Sequence, residues 1–214
     1  GFAAVSGFDA ALGIIRIVPY STFSNYSLIV IPLFIFMGNF AFHSGLSSDL
    51  YTTARTWFGR VRGGLAMSTV AASAAFAAIS GSSAATAATM GKIALPEMKR
   101  HNYDDSLATG TLAAGGTIGI LIPPSVILII YGVLTENSIG NLFLAGIIPG
   151  LLQAVFYIVL IAGMCLLIPR LGPPGQSTTM WQKVKSLKGS WLVVVLFLVV
   201  IGGIYAGIFS PVEA

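Results

Sequence analysis

The sequence predicts an all-α, polytopic membrane protein with a re-entrant helical hairpin, a broken transmembrane helix and amphipathic arm helices. Three observations predict it. Of its 214 residues, 56% are hydrophobic and only 8% are charged, whereas a water-soluble domain carries about 25% charged residues. Long apolar segments alternate with short polar, basic or Pro/Gly-containing stretches, which points to helices and not to the short alternating strands of a barrel. Two of the apolar segments also carry residues that interrupt a helix. These are ISGSSAATAATM at 79–90 and GGTIGILIPPS at 115–125. They read as two broken elements meeting near the bilayer midplane around a small cation.

The formal charge of +4 fits basic loops that set membrane topology. A basic patch interleaved with aromatics is missing, so no nucleic-acid partner is expected; the lipid bilayer is the expected surroundings. The single cysteine, Cys165, lies in an apolar run and is silent on redox compartment. The chain lacks an initiator Met and closes on Pro211-Val212-Glu213-Ala214 without a polar tail; it is expected to be a piece of a longer protein.

Taken in order, residues 1–15 read as the end of a first spanning helix, with Asp9 inside it, and 16–27, with Pro19, as a loop. Residues 28–42 are strongly apolar and predict a crossing of the roughly 30 Å hydrocarbon core. Pro32 falls in its first turns, where a missing N–H costs least. Residues 46–61 change character. Leu46, Leu50, Trp57 and Val61 recur at helical spacing against Asp49, Thr52, Arg55 and Arg60, which predicts an amphipathic interfacial helix.

As one straight helix, 63–98 would run about 54 Å, far beyond the bilayer. The cluster Ser80-Gly81-Ser82-Ser83 offers a break. Arg55, Arg60 and Arg62 precede the segment and Lys99 and Arg100 follow it, so both ends belong on the cytoplasmic side. The segment therefore reads as a re-entrant hairpin with its tip at the serines. Residues 99–105 form a cytoplasmic turn, in which His101 reads as a solvated loop residue. In 106–135, the prolines at 123 and 124 predict an opening near 121–124, followed by a second half-helix over 125–134. Residues 139–168 predict a full span, 171–177 a Pro/Gly linker, 180–191 a second amphipathic segment, and 192–209 the last span. This topology puts all but Arg16 and Lys92 of the eleven basic residues at the cytoplasmic side. Lys92, in the returning arm of the hairpin, reads as snorkelling towards the surface, ahead of the alternative of binding an anion.

A small hard cation takes oxygen ligands. The hairpin tip offers the hydroxyls of Ser80, Ser82, Ser83, Thr86 and Thr89; the second break frees backbone carbonyls around 119–122. Discontinuous helices facing each other are a known solution for midplane ion sites. The helix that starts after the serines points its N-terminus at the tip, which favours a carboxylate group of a substrate. The competing reading is a non-transporting membrane scaffold, in which the same small residues only pack helices. An enzyme is not expected: there is no His/Cys/carboxylate cluster and no Ser/His pairing.

The runs SGSSAATAATMGKIALPEMKRHNYD, GGTIGILIPPSVILIIYG and SIGNLFLAGIIPGLL closely resemble the large membrane subunit of tripartite ATP-independent periplasmic (TRAP) transporters. The earlier IPLFIFMGNF and RVRGGLA and the closing GGIYAGIFSPVEA fit the same family, so the resemblance covers nearly the whole chain. The resemblance implies a multi-pass subunit of the bacterial inner membrane and an elevator-type importer of organic acids driven by sodium. It also implies two partners, a periplasmic substrate-binding protein and a small membrane subunit. Residues 1–62 would then hold scaffold helices and a first arm, 63–136 the transport-domain hairpin and broken helix, and 137–214 scaffold helices and a second arm. Ser80, Ser83, Gly119 and Ile122 fall where the family places a sodium site. Ser82, Thr86 and Pro123 are the candidate substrate contacts beside it. The family's large subunit is about twice this long, so the chain would be its first half, with an incomplete substrate site. A related sodium-coupled carboxylate carrier that works without a binding protein is the alternative within membrane transporters.

Overall fold

In the computed structural model, residues 2–24, 26–175, 178–210 and 213 are described, and no strand occurs among them. The first helices are α1 (Phe2–Ser6) and α2 (Phe8–Phe23), separated at Gly7, whose φ is +90°. Of the loop expected over 16–27, residues 16–23 are helical instead, and residue 25 lies outside the described residues. Helix α2 runs through Arg16 and Pro19 to Phe23, because an interior proline forfeits a hydrogen bond without forcing a stop when apolar neighbours keep the chain helical. The crossing expected over 28–42 is shorter than foreseen. A 3₁₀ turn (Tyr26–Ile29) leads into α3 (Val30–His43), which is about 21 Å long.

Helix α4 (Leu46–Phe58) is the expected amphipathic segment, with Leu50 and Tyr51 buried and Trp57 exposed. Helices α5 (Gly64–Ser80) and α6 (Ser83–Arg100) form the hairpin, and α7 (Asp105–Leu121) and α8 (Val126–Thr135) the broken helix, bent by 43°. Helix α9 (Ile139–Leu167) is the long span foreseen over 139–168. The second amphipathic segment and the last span are not separate elements. They are one helix, α10 (Met180–Tyr205), because no proline lies in 180–205 and no glycine pair falls at the expected boundary near 191–192; Thr179 N–H caps its start by donating to Gln182 Oε1 at 2.9 Å. Residues 171–175 are non-helical as foreseen; 176 and 177 of that linker, and 211, 212 and 214 of the closing motif, lie outside the described residues. Two described helices, α9 and α10, are long and apolar enough to cross a membrane, or three if the bent pair is one span.

The core is organised around α5. Its residues are small or apolar on every side and nearly all are buried, the pattern of a helix enclosed by others. Helices α4, α6, α7, α9 and α3 pack around it. The open end of the hairpin is tied to both neighbouring connections. Leu65 N–H donates to Tyr103 Oη (3.1 Å), which donates to the Pro173 carbonyl (3.0 Å). Asp104 N–H reaches the Leu171 carbonyl and Gly63 N–H the Gly172 carbonyl, at 3.0 and 2.9 Å. The two ends of the hairpin therefore lie side by side, as its basic flanks require. His101 is not a solvated loop residue. It is half-buried at the end of α6 and donates Nδ1–H to the Glu97 carbonyl at 3.0 Å, beside the Arg55–Glu97 ion pair. The amphipathic helices pair with each other: Thr53 Oγ1 donates to the Ser186 carbonyl (2.9 Å) and accepts from Ser190 Oγ (2.7 Å), and Lys183 Nζ lies 5.8 Å over the Trp57 ring.

Candidate functional site

The tip is built by three residues with different jobs. Helix α5 ends at Ser80. Gly81 takes the left-handed conformation (φ +56°) that a residue with a Cβ resists. Ser82 is extended and caps α6, its Oγ accepting Ala85 N–H at 3.4 Å. Serine is a favoured N-cap for this reason. The Ser82 carbonyl accepts from Thr86 N–H (3.0 Å) and Thr86 Oγ1 (2.9 Å). Ser80 Oγ shares a hydrogen bond with Thr86 Oγ1 at 2.8 Å and reaches the Ser82 carbonyl at 3.5 Å. Ser80 and Thr86 are both buried, so this is a closed cluster of oxygens.

The second break follows from two missing donors. In a continuous helix, the carbonyls of Gly119 and Ile120 would accept from residues 123 and 124. Both are prolines, joined by a cis peptide bond, and neither has an N–H to give. Ser125 Oγ serves Ile120 instead, at 2.7 Å; Gly119 is left without its usual helical donor. Helix α8 then restarts with Val126 N–H donating to the Gly81 carbonyl at 3.1 Å. One backbone hydrogen bond thus joins the two breaks.

Glycines bring the chains this close. A Cβ on Gly119 would sit 3.1 Å from the Ser82 carbonyl and 3.2 Å from Ser83 Cα, and one on Gly81 2.9 Å from the Pro124 oxygen. Behind the break, Gly146 and Gly150 of α9 lie against the Leu121 carbonyl and the Ile122 side chain. Of the residues singled out from the sequence, Ser80, Ser82 and Thr86 thus share one cluster, and Ser83 lies on Gly119. Pro123 is buried, and Ile122 packs its side chain on Gly150. The available donors to a cation are all oxygens, and no His/Cys/Asp/Glu group suited to a metal occurs among the described residues. That set fits a hard, weakly polarising ion.

One further feature was missed, and Lys92, noted in the sequence, gains a partner that was not. Gln153, an amide in the apolar middle of α9, donates to Thr117 Oγ1 (3.0 Å) and Tyr157 Oη (2.9 Å), fastening α9 to the broken helix; an amide inside such an apolar run was the available signal. Lys92 lines a cavity between α3 and α6, with Nζ 5.2 Å over the Phe42 ring. Its partner lies on a distant stretch of sequence, so nothing local marked it.

A family model described as "Tripartite ATP-independent periplasmic transporter, DctM component" matches residues 4–214. The C4-dicarboxylate TRAP transporter large permease protein DctM of Pseudomonas aeruginosa is 38% identical over 195 residues, which are 91% of this chain and 45% of that protein. The sialic acid TRAP transporter large permease protein SiaM of Vibrio cholerae is 36% identical over 190 residues, 89% of this chain and 44% of that protein. The ectoine/5-hydroxyectoine large permease protein UehC of Ruegeria pomeroyi is 36% identical over 189 residues, with 88% and 44% covered. The chain spans about half the length of the curated relatives it matches.

Proposed function

The chain belongs to the DctM family of tripartite ATP-independent periplasmic transporter components, and from that premise we propose that it is part of the membrane permease of a sodium-coupled importer of organic acids. The observation that carries this reading is the junction of the two breaks, where Val126 N–H meets the Gly81 carbonyl. There, oxygens of Ser80, Ser83, Gly119 and Ile122 would hold Na+, with Ser82, Thr86 and Pro123 beside the substrate. The relatives' names, which include a C4-dicarboxylate and sialic acid permease, support a carboxylate substrate.

The proposed mechanism is an elevator. Residues 63–136 move as a body against the scaffold, on arms formed by α4 and α10. The pairing of those helices through Thr53, Ser186 and Ser190 supports the arm role. So do the glycines at 59, 63 and 64, which join α4 to the hairpin. A periplasmic binding protein would deliver the substrate to a complex completed by a small membrane subunit in the bacterial inner membrane.

The test is alkylation at the tip. Ala84 is exposed, so a cysteine placed there in the complete permease, with Cys165 changed to Ala, can be labelled in sodium and in potassium. Sodium-specific protection is the expected result. Equal rates in the two salts would reject the ion site and leave the serines as packing residues.

A further inference from the structure

The cavity between α3 and α6 has a volume of about 410 Å³ and is lined on α3 by Asn39, Phe42 and His43 and on α6 by Ser82, Thr89 and Lys92. We propose that it binds an organic monocarboxylate with an apolar body, held by its carboxylate on Lys92. The proposal rests on the reading of the permease as an organic-acid carrier and narrows its substrate class.

Charge sets the sign of the occupant. Lys92 is the only Lys, Arg, Asp or Glu in the lining, and no carboxylate forms an ion pair with it among the described residues. Its one close partner is the face of Phe42, an attraction that leaves the ammonium hydrogens open to an acceptor. One neighbour adds a donor: Asn39 Nδ2 spends one hydrogen on the Ile35 carbonyl at 3.0 Å and keeps the other. His43 spends its Nδ1–H on the Asn39 carbonyl at 2.9 Å and offers the carboxylate no donor.

Shape sets the rest. The volume falls within the range of small-molecule sites, roughly 300–1,000 Å³. Ser80 and Ser82 lie at one end and Lys92 with Thr89 at the other; between them the walls are Phe34, Ile35, Gly38, Ala85 and Ala88. Those polar ends lie about 15 Å apart along the helix axis, too far for a short diacid to bridge. One carboxylate at Lys92 with an apolar remainder running towards the tip matches the lining better than two charges do.

The experiment is equilibrium binding of radiolabelled benzoate to the complete permease in detergent. Saturable binding is expected, displaced by unlabelled benzoate but not by benzamide. Lys92→Gln should weaken it about tenfold, the scale of one charge-assisted hydrogen bond, and Lys92→Arg should retain it. Absence of saturable binding, equal displacement by benzamide, stronger displacement by succinate than by benzoate, or unchanged affinity in Lys92→Gln would each overturn the proposal. Sodium protection at residue 84, measured in the same preparations, shows that each variant is folded and keeps the two readings apart. If protection persists without benzoate binding, only the cavity assignment falls. If protection is missing in the Ala84→Cys, Cys165→Ala protein that keeps Lys92, the ion-coupled carrier falls.

Discussion

Replacing Gly81 with Ala tests the junction on which the functional reading stands. Two costs add there. Gly81 has φ +56°, and a residue with a Cβ loses about 1–2 kcal/mol in that conformation. The new Cβ would also sit 2.9 Å from the Pro124 carbonyl oxygen. That atom is backbone and cannot rotate away, so overpacking adds about 1–3 kcal/mol. We predict a total of about 2–5 kcal/mol. Gly45 separates the terms. Its φ is +83°, and nothing lies within 4 Å of an added Cβ, so Gly45→Ala should cost only the first, about 1–2 kcal/mol. The assay is thermal unfolding of the complete permease in detergent. At about 2–4 °C per kcal/mol for a unit of this size, Gly81→Ala should melt about 2–12 °C below Gly45→Ala. It should also reduce sodium protection at residue 84, because the Val126-to-Gly81 hydrogen bond must lengthen. If the two variants melt together, the tip is not held against the prolines and the junction is wrong.

Three other predictions concern what surrounds the site. Tyr103→Phe removes a hydroxyl, buried with its ring, that serves Leu65 N–H and the Pro173 carbonyl. It should cost about 1–3 kcal/mol and speed amide exchange at Leu65; unchanged melting and exchange would show the clamp to be idle. The Asp104 carboxyl is held below its usual range by hydrogen bonds, first from the Ser106 hydroxyl and then from its N–H. A depressed pKa contributes stability that is present above the unfolded value and lost as pH falls through the folded one. Stability should therefore decline below about pH 4, with a shallower decline in Asp104→Asn; identical acid profiles would remove this cap from the account. Finally, a thiol cross-link between Thr117→Cys and Gln153→Cys, whose native side chains meet at 3.0 Å, should stop uptake if 63–136 moves against α9. Uptake that survives the cross-link would place α9 in the moving body.

The breaks were legible in the sequence because their causes are local and chemical. Pro123-Pro124 removes two donors whatever the tertiary structure does, and Gly81 between serines supplies a left-handed hinge with a ready cap. Helix boundaries elsewhere were less legible, because they depend on which weak signal prevails. Pro19 with its polar neighbours suggested a loop, and the apolar residues flanking it kept α2 helical. The shift from amphipathic to apolar at 191–192 suggested a boundary, yet a change of surroundings does not require a change of backbone, and α10 continues through it. Within the site, composition named the oxygens but not their engagements. That Thr86 donates its hydroxyl to the Ser82 carbonyl and shares a hydrogen bond with Ser80 depends on how α5 turns into α6, and that Ser83 rests on Gly119 depends on how α6 crosses α7. Lys92 shows the same limit, since the ring beneath its ammonium belongs to α3.

The contacts of the junction are made by backbone. Gly38 meets Ser80, Gly81 meets Pro124, Gly119 meets Ser82, and Gly146 meets Leu121. With no side chains between them, no rotamer can absorb a displacement, so the tip and the break fit together or separate as units. Helices α4 and α10 are joined differently, through the hydroxyls of Thr53 and Ser190 and the Lys183 ammonium over Trp57. These are groups that can turn and find new partners. A cation that drew oxygens from both breaks would favour only the arrangement in which they touch. Its coupling to transport would equal the difference in its affinity for the joined and separated states. Under this scheme sodium need not move any element itself. It has only to bind where two rigid surfaces already meet, while the compliant arms accommodate the motion.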